Sequence, residues 1–460
     1  AGAMAFTLIK GGQVVTMDAD LGDFARADVL IEDDMIRAVG ADLAAPEGAT
    51  VIDAADRIVM PGFVNAHIHT WQTGLRGLGS DWTGTNYFRA MHAGLAGFFT
   101  PEDIYLANLM GALNQLNAGV TTLVDWHHNN PTPAHTDAAV DGLEEAGIRA
   151  VFLHGSPKPD PKPGQKPYTE IPMPRSEVER LRKGRLASDD ALVTMGLAIL
   201  GPQIGTEAVL LEDLRLGREF DLVTSMHHSM AAMNAPQGYA RAEAEGLIDR
   251  RFNVVHGNEL TDDDLARLVD NGASFAVTSE VEMQMCYTDP LSGRLMEKGG
   301  PIALGSDIES AFAADMFAVT RLSLQAERHL TSLRMKAVTG ERPHPIPVTV
   351  KQALGWATMG GARAFRLDDR VGSLSPGKKA DIVLLRADDM NMIGVQDPAN
   401  AIVCYANPGN VDTVMVNGRV MKQDGRLRVD GLHGLAARLV ASGRRIVAEF
   451  KANAPTADFA

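Results

Sequence analysis

An α/β chain, built as a (β/α)8 barrel with a small β-domain assembled from both chain ends, is the fold this sequence predicts. Three observations carry that expectation. Between about residues 60 and 365, eight short apolar runs alternate with stretches that read as helices. Residues 5–59 hold several short β-prone runs separated by turn residues, and 366–430 hold a second β-rich stretch. Two β segments flanking a long middle place one discontinuous domain around a larger inserted one.

In chain order, the first strands are Phe6–Ile9, Gln13–Met17, Asp28–Ile31, Met35–Val39 and Thr50–Asp53, with Gly11-Gly12 and Asp33-Asp34 as hairpin turns. The barrel runs are Gly62–His67, Thr121–Trp126, Arg149–His154, Val193–Leu200, Leu222–His227, Phe252–His256, Ser274–Thr278 and Ile302–Gly305. A helix over Thr261–Asn271 opens on Thr261-Asp262-Asp263-Asp264, as an N-terminal cap should. The β-rich return contains Ala380–Leu385 and Val411–Val416, followed by the hairpin dipeptide Asn417-Gly418. Residues 431–460 form a tail, helical from Gly431 to Phe450 and peripheral. Ala1-Gly2-Ala3-Met4 reads as a cloning remnant and is set aside.

The totals exclude several function classes. With 460 residues, 45% hydrophobic and 22% charged, the chain has the composition of an ordinary globular protein. A net charge of −15 argues against a nucleic-acid partner. Two cysteines, Cys286 and Cys404, imply no disulfide framework and fit a reducing compartment. No apolar run is long enough to span a bilayer, so a cytoplasmic enzyme is expected.

The chemistry concentrates at strand ends, where a barrel of this kind keeps its active site. Pro61-Gly62-Phe63-Val64-Asn65-Ala66-His67-Ile68-His69 ends a strand on two histidines spaced i, i+2. Residues two apart on a strand share a face, so both imidazoles can reach one divalent ion, and zinc accepts such ligands. Further strand-end candidates are Trp126-His127-His128, His154, Gln203, His227-His228, His256 and Asp307. His92, His135, His329, His344 and His433 fall in helices or loops and read as solvated or packing residues.

The Pro61–His69 stretch resembles the first-strand metal motif of the amidohydrolase superfamily. Val371-Gly372-Ser373-Leu374-Ser375-Pro376-Gly377-Lys378-Lys379-Ala380-Asp381 resembles the same superfamily's return into its β-sandwich. The likeness spans essentially the whole chain and is nearest to cytosine, guanine and S-adenosylhomocysteine deaminases and to s-triazine hydrolases. It implies a mononuclear metal site held by His67, His69, a strand-five histidine and Asp307, which lies in the strand-eight-like Leu304-Gly305-Ser306-Asp307. His227 is favoured over its neighbour His228 for strand five. In the family the strand-eight carboxylate also takes a proton from the attacking water, and a strand-six histidine, here His256, polarises the substrate. The branch that uses two metals bridges them with a strand-four lysine, and Val193–Leu200 contains none. One divalent ion per chain is therefore expected, zinc first, with iron or manganese as alternatives.

One departure stands out. The family's deaminases carry His-x-x-Glu on strand five, whereas counting from His227 gives Met230 and from His228 gives Ala231. Glu282, at the Asn-like position of strand seven, is the candidate acid or base in its place, with Glu280 on the same face of an assumed strand as a substrate contact. Trp71, Gln72, Arg76 and Trp82 follow the metal motif in the loop that covers substrate in relatives. With Trp126 and Met283 they suggest a pocket for a flat ring. The resemblance thus implies hydrolysis of a non-peptide C–N bond, deamination of a nitrogen heterocycle above all, in a homo-oligomer acting on a small cyclic compound. Hydrolysis of an amide, carbamate or C–Cl bond is the second reading, and a non-catalytic assembly module the third.

Overall fold

The computed structural model describes residues 4–453, so the expected cloning remnant lies outside the described residues except for Met4, as do the last seven positions of the tail. Eight parallel strands form one sheet in sequential order: Phe63–Ile68, Val120–His127, Arg149–Gly155, Val193–Ala198, Thr224–His228, Phe252–His256, Ser274–Val277 and Ala303–Leu304. Each coincides with one of the runs expected from the sequence, within a few residues at either end. Helices such as Pro101–Asn117, Pro133–Ala146, Glu207–Glu219 and Asp262–Asp270 fall between them. Thr261 caps the last of these by accepting the Asp264 N–H, as its sequence implies.

The sheet closes between its first and eighth strands. A parallel bridge pairs Ile68 with Asp307; His69 N–H donates to the Asp307 carbonyl at 2.8 Å and Asp307 N–H to the His67 carbonyl at 2.9 Å. Asn65 staples the same seam, donating to Ser306 Oγ and Gln115 Oε1, both at 2.8 Å, and accepting from Ser306 N–H at 3.1 Å. Gly305 is required here, because a Cβ at that position would lie 2.7 Å from the His67 backbone nitrogen. Closure and the first-strand histidines are therefore one piece of backbone.

Both chain ends join in a second, nine-stranded mixed sheet. The join is antiparallel pairing of Arg57–Pro61 with Ile382–Arg386, and residues from both ends, including Ile9, Val29, Val59, Ile382 and Met415, share one apolar cluster. Asp33-Asp34 and Asn417-Gly418 turn hairpins as expected, with positive φ at both Asn417 and Gly418. Gly11-Gly12 does not. Phe6–Val15 is one continuous strand with register shifts around Gly12, so the glycines make a bulge instead of a turn. Gly11 has φ +77°, and a Cβ on Gly12 would meet Val59 at 2.6 Å. The sheet is tied to the barrel by Arg149, only 1% exposed, whose Nε donates to Asp381 Oδ2 at 2.8 Å. The tail helix, Leu432–Asn453, lies along Pro101–Asn117, where Ser442 Oγ donates to Asp103 Oδ1 at 2.6 Å. Among the described residues, no helix is long and apolar enough to cross a membrane.

Candidate active site

At the C-terminal end of the barrel, His67, His69, His227 and Asp307 bring four ligand atoms within 4.8 Å of one another. His67 Nε2 lies 3.2 Å from His69 Nε2 and 3.3 Å from His227 Nε2. Asp307 Oδ1 lies 3.2 Å from His67 Nε2 and 3.3 Å from His69 Nε2. Ligands about 2.1 Å from a tetrahedral ion stand ~3.4 Å apart, so these spacings fit a single ion such as zinc. The donor set fits as well. Burial pushes the His67 imidazole down to about 4 and holds His227 well below its usual range, which leaves one ring nitrogen of each with a lone pair to offer a metal. Burial alone would raise Asp307, but hydrogen bonds from His67 and His69 and the neighbouring imidazoles hold it well below the usual carboxylate range. His69 Nδ1 donates to the Trp126 carbonyl at 2.7 Å, which fixes its tautomer with Nε2 facing the cluster.

Strand alternation separates the two strand-five histidines. His227 joins the cluster, while His228 turns to the opposite face, its Nδ1 2.9 Å from the Tyr239 hydroxyl and its ring stacked on Tyr239.

His256 completes the centre from strand six, with Nε2 3.9 Å from Asp307 Oδ2. Its Nδ1 meets Glu282 Oε2 at 3.1 Å and Thr278 Oγ1 at 2.9 Å. Burial disfavours a charged His256, but the Glu282 hydrogen bond and the charges of Asp307 and Glu282 outweigh it, so its pKa is raised. Both His256 and Asp307 have positive φ, 72° and 68°, a conformation costly for residues with a Cβ and one that clusters at functional sites.

Glu282 requires a correction. It is fully buried, Oε2 accepting the Thr278 N–H and hydroxyl at 2.8 and 2.9 Å and Oε1 accepting from Asn258 Nδ2 at 3.0 Å. Its carboxylate is taken up by His256, Thr278 and Asn258. Glu280 is corrected too. The segment Ser279–Gln284 is a helix, not a strand extension, so residues two apart point about 200° apart. Glu280 instead lines a separate cavity with Met283 and Asp315, and burial pushes it up to about 7.

The residues after the metal motif divide. Trp71 is fully buried against Phe99 and His128 and packs the core instead of contacting substrate. Gln72 is engaged, donating to the Tyr87 hydroxyl at 2.6 Å and accepting from Ser310 Oγ at 2.8 Å. Arg76 is half exposed and paired at 2.5 Å with Glu309, which is buried. Trp82 packs with Tyr87 and Tyr287 in a small apolar cluster. Trp126 forms a wall of the centre, its ring 4.3 Å from that of His227 and its Nε1 donating to Ser225 Oγ at 3.1 Å.

Around these stand the strand-end candidate His128 and neighbours that no motif singled out. His128 stacks on His69 at 4.5 Å, His92 packs edge-on against His128 at 4.4 Å, and the Tyr287 ring stands 5.6 Å from His256. Lys158 Nζ lies 4.9 Å from the Trp126 ring centroid. The only sequence signal for Lys158 is its position between Pro157 and Pro159, just after strand three.

The amidohydrolase family model matches residues 58–421. The chain belongs to the amidohydrolase family. Curated relatives include a 5-methylthioadenosine/S-adenosylhomocysteine deaminase from Symbiobacterium thermophilum, 26% identical, with 96% of this chain and 99% of that protein covered. An 8-oxoguanine deaminase from Pseudomonas aeruginosa is 28% identical over 87% of this chain and 90% of that protein. Among solved structures, a zinc-bound adenosine deaminase from Xanthomonas campestris aligns with TM-score 0.80 at 21% identity, covering 96% of this chain and 99% of the other. A zinc-bound atrazine chlorohydrolase from Arthrobacter aurescens aligns with TM-score 0.82 at 20% identity, covering 95% and 100%. These structural likenesses establish the fold shared by the family. As an amidohydrolase with a His3Asp cluster, the chain is a metal-dependent hydrolase acting on C–N bonds other than peptide bonds.

Proposed function

We propose that this amidohydrolase removes the exocyclic amino group of a nitrogen heterocycle as ammonia, with one zinc ion held by His67, His69, His227 and Asp307. The observation that supports it most is the convergence of these four ligand atoms beside a raised-pKa His256, in a chain whose curated relatives include deaminases of purine compounds. Such an ion, when bound, supplies Lewis acidity that generates a water-derived nucleophile at neutral pH. Iron or manganese would serve the same donor set.

The chain's own residues supply the rest. Asp307 presents Oδ1 to the histidine cluster and Oδ2 towards His256, so Oδ2 can accept the proton of the attacking water. His256, whose protonated form Glu282 and Asp307 favour, stands where negative charge develops on the ring nitrogen and offers it a proton from Nε2. Glu282 is a positioning residue in this scheme. With Met230 at the family's strand-five Glu position, exposed in the loop after strand five, the proton for the departing amine passes through the Asp307–His256 pair. Trp126, Tyr87 and Tyr287 wall the ring's site. The domain limits 5–59 with 366–430, 60–365 and 431–460 remain our proposed division of the chain.

Metal analysis of wild type beside Asp307→Ala, with ammonia followed across aminopurines, aminopyrimidines and s-triazines, tests the reading. One metal per chain, lost or silenced in the variant, with ammonia from a panel member, supports it. Metal without ammonia from any member would favour amide, carbamate or C–Cl hydrolysis instead.

A further inference from the structure

A buried cation stands beside this centre with nothing to neutralise it. Lys158 is 3% exposed and follows the third barrel strand in Ser156–Pro167, where prolines at 157, 159, 161, 163 and 167 fix φ. An ammonium carries three donors and no acceptor. Among the described residues, no carboxylate, carbonyl or hydroxyl accepts from Lys158 Nζ, whose one recorded partner is the Trp126 ring at 4.9 Å. A ring face holds a cation only weakly, so the three donors of this ammonium remain free for a bound group. Burial alone pulls the ammonium down to about 7.

Lys158 also lines a cavity of about 300 Å3 with Tyr168, Gln165, Leu200, Met173 and Asp213. Asp213 does not offset the charge. Its Oδ1 accepts the Met173 N–H at 2.8 Å, and burial pushes its carboxyl up to about 7. The Trp126 indole links the ammonium to the metal ligands, since its ring lies 4.3 Å from that of His227 and 5.5 Å from that of His69. Nζ and two of the metal-ligand rings therefore pack around one indole, so a group held at Nζ and a ring at the cluster share Trp126 as their neighbour. The chain's net charge of −15 gives anions no general attraction, so a local cation is needed to hold one.

We propose that Lys158 binds an acidic substituent of the cyclic substrate, a ring carboxylate above all, and so selects anionic heterocycles over neutral ones of the same shape. The inference rests on the hydrolase reading for its substrate, but its test reads binding and not turnover.

Calorimetric titration of metal-replete enzyme at about pH 6, below the Lys158 midpoint of about 7, compares pyrimidine-4-carboxylate, pyrimidine-4-carboxamide and acetate. A charge-assisted hydrogen bond predicts at least about tenfold tighter binding of the carboxylate than of the carboxamide. Lys158→Met, which keeps the apolar stem, should lose that preference with metal content unchanged, and Lys158→Arg should retain most of it. No saturable carboxylate binding to wild type, or a preference that survives Lys158→Met, would overturn the proposal. Acetate binding as tightly as the ring carboxylate would assign the site to free anions and overturn it too. Ammonia release from neutral heterocycles with no carboxylate preference would sink this inference and leave the deaminase reading standing.

Discussion

Replacing Glu282 by Gln isolates what the carboxylate behind His256 does. The side chain keeps its shape, but its hydrogen bonds cannot all survive. One oxygen receives the Thr278 N–H and hydroxyl, and the other receives Asn258 Nδ2. Whichever way the new amide is turned, its NH2 faces a donor. Turning it towards Asn258 is cheaper, yet a compensating flip of Asn258 would break that residue's bonds to the Thr288 and Asp289 carbonyls, at 2.9 and 3.2 Å. One lost buried hydrogen bond costs about 1–3 kcal/mol. Losing the charge costs His256 more directly. Burial still disfavours its protonated form, while one of the two supporting charges is gone and the remaining hydrogen bond to the amide carbonyl is no longer charge-assisted, so its pKa falls. A charge-assisted bond of about 1.5–3 kcal/mol corresponds to roughly 10–100-fold in kcat. If protonated His256 is the working form, activity is lost as pH rises through its pKa, and that basic limb moves to lower pH in Glu282→Gln. Metal content and KM stay close to wild type. The assay is a kcat and kcat/KM profile across pH on any turned-over heterocycle. An unmoved basic limb with a large rise in KM would refute the reasoning and make Glu282 a substrate contact.

His227→Asn should cut bound metal to well under one per chain by elemental analysis, whereas His228→Asn should keep it, because His228 faces Tyr239; equal retention in both would remove His227 from the ligand set. Gly305→Ala should lower metal occupancy and thermal stability together, since its Cβ would press within 2.8 Å of His67 Cβ and the His67 carbonyl oxygen; unchanged occupancy would show that the seam can yield. Asp213, buried and raised from 3.8 to about 7, keeps its proton in the folded chain while the unfolded chain loses it. Ionisation therefore erodes wild-type stability as pH rises from about 4 to about 7, by on the order of 3–4 kcal/mol at the upper end. Asp213→Asn, which still accepts the Met173 N–H, should escape that loss, so urea midpoints of the two proteins should diverge between about pH 5 and 8. Parallel midpoints would contradict the burial argument.

Periodicity and strand-end chemistry made most of the architecture legible in advance. The eight barrel runs are short, apolar and bounded by turn residues, and the His-x-His spacing puts two imidazoles on one face by strand geometry alone. Backbone alternation along Thr224–His228 puts His227 on the face of the first-strand histidines and His228 on the other, because a period of two is local. Local rules failed where two conformations compete for the same residues. Gly11-Gly12 can turn a hairpin or bulge a strand, and Val59 packed against Gly12 selects the bulge.

The sequence by itself determined the barrel, the β-domain built from both ends and the amidohydrolase motif that places His67 and His69. Only the tertiary structure decided where Glu282, Glu280 and Lys158 lie. Glu282 came to lie against His256 once its segment folded as a helix after strand seven, and the same helix carried Glu280 into another cavity. Lys158 became a lone buried cation because strands two and three lie side by side and bring Trp126 beneath it. The physical reason is range: hydrogen bonds along a strand are set by neighbours in sequence, whereas burial and charge pairing are set by whichever residues the closed barrel brings together.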